Sequence, residues 1–83
     1  MPSVLDGLLD KKTSALLRTL LLNSDQLFHL HSLSRSARVP VTTTSRIVRR
    51  LVKLGIVTET KVGKLVLYKA ALTEKASAVR ELL

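Results

Sequence analysis

Apolar positions fall into blocks whose spacing changes along the chain. Leu16, Leu17, Leu20 and Leu21 recur at the spacing of one helix face. Asp10 or Thr13 supplies a start for that helix, and Asn23-Ser24-Asp25 is a turn that ends it. Upstream, Ser3 to Leu9 reads as a short helical turn with Val4, Leu5, Leu8 and Leu9 on one side, weakened by Gly7. Leu27 to Leu30 reads as a brief strand, and a second helix is expected from about Ser32 to Arg38, with Leu33 and Ala37 inward. Pro40 interrupts it, because proline lacks an amide proton and drives Val39 toward an extended backbone, yet it suits the opening of a third helix. From Val41 to Leu54, Thr44, Val48 and Leu51 share one stripe flanked by Ile47 and Leu54, and Gly55 makes the stop.

The period then shortens. Ile56 to Lys61 and Lys64 to Ala70 are β-rich and joined by Val62-Gly63, a hairpin that places Gly63 in the left-handed region. In its second strand Leu65 and Leu67 face one way, Val66 and Tyr68 the other, so cover on both faces is expected. Thr73 can cap a last helix with Glu74 in its first turn, Arg80 near its end, and Ala76, Val79, Leu82 and Leu83 as its apolar side. The pattern predicts a mainly α fold with a β-hairpin wing (α+β). It reads as one domain over 1–83: a helical region 1–22, a helix pair 32–54, a hairpin 56–70 and a final helix 73–83.

Composition narrows the function. With 83 residues there is room for one core, and 46% hydrophobic residues argue against disorder. The absence of cysteine excludes disulfides, cysteine-ligated zinc and thiol chemistry. Phe28 and Tyr68 are the only aromatic residues, which disfavours reading single strands by stacking. Apolar runs reach four residues at most (Leu65 to Tyr68), too few to span a membrane, and Met1 to Asp10 carries two acids and no base, unlike a leader. A cytoplasmic, nucleoid-associated location is expected.

Charge adds more. Of a net charge of +8, all resides between Arg35 and Lys69, where nine bases face one acid, Glu59. Such a localised field points to a polyanionic partner, nucleic acid ahead of anionic membrane. Catalysis has little support: Asp6, Asp10 and Asp25 have no glycine-rich phosphate cradle, and no nucleophile–base pair can be named. His29 and His31, two apart, would share one face of a strand, but two histidines alone do not make a metal site. A capping or surface role is expected for them, with no metal, no cofactor and no enzymatic activity.

Two short helices with a tight connection, the second followed by a hairpin, describe a winged helix-turn-helix. A major groove about 12 Å wide admits one helix. The outward side of residues 41–54 carries Thr42, Thr43, Ser45, Arg46, Arg49, Arg50 and Lys53, and Lys61 and Lys64 flank the hairpin tip. Arginine forks match guanine N7 and O6, hydroxyls reach bases or phosphates, and wing lysines meet the backbone or an adjacent minor groove.

The stretch from Leu33-Ser34-Arg35-Ser36-Ala37-Arg38 through Val41-Thr42-Thr43-Thr44-Ser45-Arg46 to Gly55-Ile56-Val57 resembles winged-helix regulators of the ArsR/MarR type. Their pattern runs roughly L-A-x-x-L-G-[VL]-x-x-S-T-V-S-R-x-L-x-x-L-x-x-x-G-[LI]-[VI]. Small archaeal members look most similar, with Val62-Gly63-Lys64 and Tyr68-Lys69 in place of their wing and following strand. The resemblance implies DNA contacts at Thr42, Thr43, Ser45, Arg46, Arg49 and Arg50, and wing contacts at Lys61 and Lys64. Departures fall at Ser34 (usually alanine), Ala37 (usually larger and apolar), Arg38 (often glycine) and Thr44 (usually valine), and are expected to loosen the corner between the two helices.

Eighteen leucines, notably across Leu5 to Leu22 and at Leu82-Leu83, exceed what one small core needs, so a homodimer through the N- and C-terminal helices is expected. The leading expectation is a homodimeric, sequence-selective regulator of double-stranded DNA. The rivals are an architectural, chromatin-type protein with weak sequence preference and a protein-docking module using Val66 and Tyr68.

Overall fold

The computed structural model describes residues 10–71, 77–79 and 81. The elements run α1 (Lys11–Leu22), β1 (Phe28–His29), α2 (Leu30–Ala37), α3 (Val41–Lys53), β2 (Val57–Val62) and β3 (Leu65–Ala70). Residues 77–79 and 81 are helical. The expected turn over Ser3 to Leu9, and Thr73, Glu74, Ala76, Arg80, Leu82 and Leu83 of the last helix, lie outside the described residues.

Helix α1 starts where its cap allows. The Asp10 carboxylate accepts from the Thr13 amide and the Thr13 hydroxyl, each at 2.9 Å, so a buried threonine is satisfied while an orphan helix donor is used. Leu16, Leu17, Leu20 and Leu21 are then all buried, at 2% exposure or less. They pack with Phe28, Leu33, Ile47, Val48, Leu51, Ile56, Val57 and Val79 in one core.

Helix α2 begins two residues earlier than expected, and the strand before it shrinks to Phe28–His29. The cause is a reciprocal cap. His29 Nδ1 accepts from the Ser32 amide at 3.3 Å, and the Ser32 hydroxyl accepts from the His29 amide at 3.1 Å. His29 and His31 therefore do not share a strand face: one caps α2 and the other lies within it, both exposed. Leu33 and Ser34 are the buried residues of α2, while Ala37 is only half-buried.

The corner between α2 and α3 is tied rather than loosened. Arg38 takes the left-handed conformation (φ 58°, ψ 43°) that glycine would adopt without strain. Its amide donates to the Arg35 carbonyl at 3.3 Å, and the Val39 amide donates to the Ser34 carbonyl at 3.0 Å. The Ser34 hydroxyl donates to the Val39 carbonyl, and the Thr44 hydroxyl donates to that same oxygen at 3.3 Å. Ser34 and Thr44 thus meet at one acceptor. Thr44 is fully buried, and its extra hydroxyl is satisfied there.

Helix α3 buries Thr44, Ile47, Val48 and Leu51. It ends as Gly55 turns left-handed (φ 79°), with the Gly55 amide donating to Val52 and the Ile56 amide to Leu51. The sheet is antiparallel in the order β1-β3-β2. Val62 pairs with Leu65, so the hairpin turn is Gly63-Lys64 and not Val62-Gly63. Gly63 does take positive φ (61°), and as first of two turn residues it fits a type II′ hairpin.

Register divides the hairpin. Val57, Glu59 and Lys61 share the core-side face with their partners Ala70, Tyr68 and Val66, whereas Thr58, Thr60 and Val62 share the outer face with Lys69, Leu67 and Leu65. Val57 and Ala70 are buried and Tyr68 packs against the core. The outer face is open, with Val62 and Leu65 more than half exposed, so β3 is not covered on both sides as expected.

Candidate nucleic-acid interface

The buried stripe of α3 dictates what points outward. With Thr44, Ile47, Val48 and Leu51 in the core, the opposite side of the helix belongs to Thr42, Arg46, Arg49 and Lys53. These four, with Ser45 and Arg50, line one shallow, open depression of about 430 Å³. Thr42 and the four cations are exposed and Ser45 is half-buried. Six of the nine candidate residues are therefore brought together on one surface. Thr43 lies at the flank, half-buried, and does not line the depression. Lys61 and Lys64 are exposed on the wing, Lys61 opposite Val66 and Lys64 within the turn.

Electrostatics give the two edges of this surface different neighbours. Along one edge, the Asp10 carboxyl is held below its ordinary value, first by its bonds from Thr13 and further by the charge of Arg50. The charge of Arg50 thus reaches the start of α1, a helix in contact with α3. Along the other edge, burial pushes the Tyr68 phenol above its ordinary value, the Glu59 charge pushes the same way, and Arg49 opposes both. The charge of Arg49 thus reaches the wing, where Glu59 and Tyr68 are cross-strand partners.

Sequence reasoning did not find these neighbours. The Glu59–Tyr68 pairing needed the true hairpin register, and the approach of Asp10 to Arg50 comes from helix packing with no local signal. Arg35 and Arg38 are exposed at the corner, as expected for turn-surface residues. Among the described residues, no three histidine, aspartate or glutamate side chains come together to hold a metal ion. Also among them, no helix is long and apolar enough to cross a membrane.

No protein-family model matches the chain, and no curated protein matches it. Solved structures do. HlyU from Vibrio cholerae superposes with a TM-score of 0.74 at 22% identity, over 95% of this chain and 82% of that one. A transcriptional regulator, HlyU from Vibrio vulnificus, gives 0.70 at 20% identity, over 95% and 78%. A single-residue mutant of ZitR from Lactococcus lactis, solved in complex with DNA, gives 0.66 at 18% identity over 83% of this chain, which spans about half of ZitR (48%). With the helix order, the tied corner and the hairpin already described, these likenesses establish the fold as a winged helix-turn-helix.

Proposed function

We propose that the chain binds double-stranded DNA sequence-selectively, as a homodimeric transcriptional regulator. Residues 41–54 enter the major groove, and Lys61 and Lys64 meet the backbone or the adjacent minor groove. One observation carries the reading. The outward side of α3 gathers Thr42, Ser45, Arg46, Arg49, Arg50 and Lys53 over a single open depression. Thirteen helical residues span about 20 Å, enough to lie along a groove about 12 Å wide. ZitR, which shares the fold, has been solved on DNA. A finer kinship to ArsR/MarR-type regulators is proposed on the resemblance of residues 33–57, and to their small archaeal members on Val62-Gly63-Lys64 and Tyr68-Lys69.

Dimerisation belongs to the same proposal. Leu16, Leu17, Leu20 and Leu21 are used within one chain, whereas Leu22 of the same stretch is exposed; Leu5, Leu8, Leu9, Leu82 and Leu83, on which the proposal also draws, lie outside the described residues. A two-fold dimer through the terminal helices sets two copies of α3 about 34 Å apart, in successive major grooves, and calls for an inverted repeat. Val66 and Tyr68, the surface of the docking alternative, are half-buried on the core-side face of the hairpin, which favours the DNA-binding reading over it.

Selection from a random double-stranded pool at near-physiological salt tests the reading, with an Arg46→Ala/Arg49→Ala variant alongside. Enrichment of an inverted repeat by the parent alone is the expected result. Retention without enrichment assigns the basic face to an architectural role, and no retention refutes DNA binding. With a site in hand, Arg46→Ala is expected to cost about 1–3 kcal/mol and relax one base position. Arg50→Ala and Lys53→Ala should instead weaken all sequences alike, each lowering the salt slope by about 0.9. A monomer by sedimentation at micromolar concentrations removes the dimer.

A further inference from the structure

Two large apolar side chains stand in solvent at the tip of the wing. Val62 and Leu65 are cross-strand partners on the outer face, 56% and 57% exposed, directly before and after the Gly63-Lys64 turn. Half-buried Leu67 continues that face. Neither position is needed by the core, and the turn is set by Gly63. Thr58 and Thr60 show that the same face accepts polar residues further down β2. An exposed apolar pair beside an open sheet edge is an aggregation hazard, so its presence calls for an occupant.

Charge says which. Lys61 precedes the pair, Lys64 sits in the turn, and Lys69 shares the outer face. A second copy laid across this face would set Lys64 and Lys69 against like charges, whereas a polyanion is drawn to them. The same strand also meets the field of α3: the Arg49 charge acts on Tyr68, on the core-side face of β3, and Leu65 lies three residues nearer the tip, about 10 Å at strand spacing, on the outer face.

We propose that Val62 and Leu65 form an apolar wedge that enters the minor groove beside the major groove held by α3, partly unstacks a base step there, and bends the duplex. The inference rests on the DNA-binding reading above. An undistorted minor groove is about 6 Å wide, too narrow for a ribbon whose two strands alone are about 4.8 Å apart before side chains are added. Entry requires the groove to open. Apolar side chains wedged between base steps open it by unstacking, with kinks of about 20–90°. Lys61 and Lys64 then lie where phosphates flank the opened step.

The test is energy transfer between dyes at the two ends of a short duplex, drawn from the selected pool or of random sequence if no site is enriched. The full chain is compared with Val62→Ser/Leu65→Ser and with Leu65→Thr alone, each checked for folding by circular dichroism. The parent is expected to raise the transfer. The double variant should bind with affinity weakened no more than about tenfold and with its salt slope kept, yet leave the transfer unchanged. Leu65→Thr should fall between, which keeps the test decisive if the double variant does not fold. Bending by the double variant equal to the parent's overturns the wedge, as does a parent that binds without bending, and both leave DNA binding standing. A parent that binds no duplex at low salt overturns wedge and DNA binding together. Capture by phosphatidylserine vesicles that depends on Val62 and Leu65 would then place the tip on a membrane surface.

Discussion

The Val39 carbonyl at the helix-turn-helix corner offers a direct measure of how the fold is held. Val39 is 4% exposed, and its oxygen accepts from the Ser34 hydroxyl of α2 and the Thr44 hydroxyl of α3. The Thr44 bond is long, at 3.3 Å, so Thr44→Val removes little while keeping nearly the same shape. Its expected cost is within about 0.5 kcal/mol of zero. Ser34→Ala removes the better bond but leaves the longer one to take over, so a loss of about 0.5–1.5 kcal/mol is expected. Removing both leaves a buried acceptor with no partner among these side chains, and costs about 1–3 kcal/mol. The two residues should therefore couple, the double variant losing about 1 kcal/mol more than the two singles together. Urea denaturation of all four proteins measures this: with a slope near 1 kcal/mol/M, that coupling moves the midpoint by about 1 M. Additive singles, or a double variant as stable as the parent, would refute the shared-acceptor account.

Other elements give further tests. Gly63→Ala should destabilise the protein by about 1 kcal/mol in the same assay. A Cβ there meets nothing within 4 Å, so the positive φ is the whole cause and Gly63→Asn should cost less. Asp10→Ala should cost about 0.5–2 kcal/mol near neutral pH through the lost α1 cap. Because folding lowers the Asp10 pKa, that contribution is full above the unfolded value of 3.8 and fades as pH falls through the lower folded value. Melting curves of parent and variant should converge at acid pH; a constant gap would refute the cap. Tyr68 is the only tyrosine, so an ultraviolet titration reads it alone and should find it above 10.0. Glu59→Gln should bring it down and Arg49→Ala should raise it. The raised value makes Tyr68 stabilising below pH 10.0, with that stability lost as pH rises through the folded value.

What the sequence disclosed depended on whether the cause was local. Helices α1 and α3 were legible because leucine spacing marks the first, while Pro40 and Gly55 punctuate the second. Gly63 was legible as a left-handed residue, but its place in the turn was not. Moving the turn by one residue is a matter of register, settled by Val57 and Ala70 entering the core together. The start of α2 was missed because imidazole is an uncommon cap; His29 three residues before Ser32 has the spacing of a capping box without its usual residue type. Ser34 and Thr44 were visible as departures, but ten residues of chain separate them, and only the folded corner shows that they answer one carbonyl. The outward face of α3 followed by subtraction from its buried stripe. Its electrostatic partners did not, since Asp10 and Tyr68 come within reach of it through tertiary packing.

Those neighbours make the three arginines of α3 unequal. The Arg49 charge reaches Tyr68 at the wing edge, and the Arg50 charge reaches Asp10 at the edge facing α1. A carboxylate near a guanidinium weakens its field toward a phosphate, so Arg50 shares part of its charge with Asp10. Arg46 lies between the edges and about one turn nearer the start of the helix. Recognition helices present their N-terminal residues to base edges, where a bidentate fork discriminates most, while residues further along meet the backbone. On the DNA-binding reading, Arg46 therefore reads a base and Arg50 and Lys53 set the helix on phosphates. Arg49 lies at the wing-side edge of that face, where its charge reaches Tyr68.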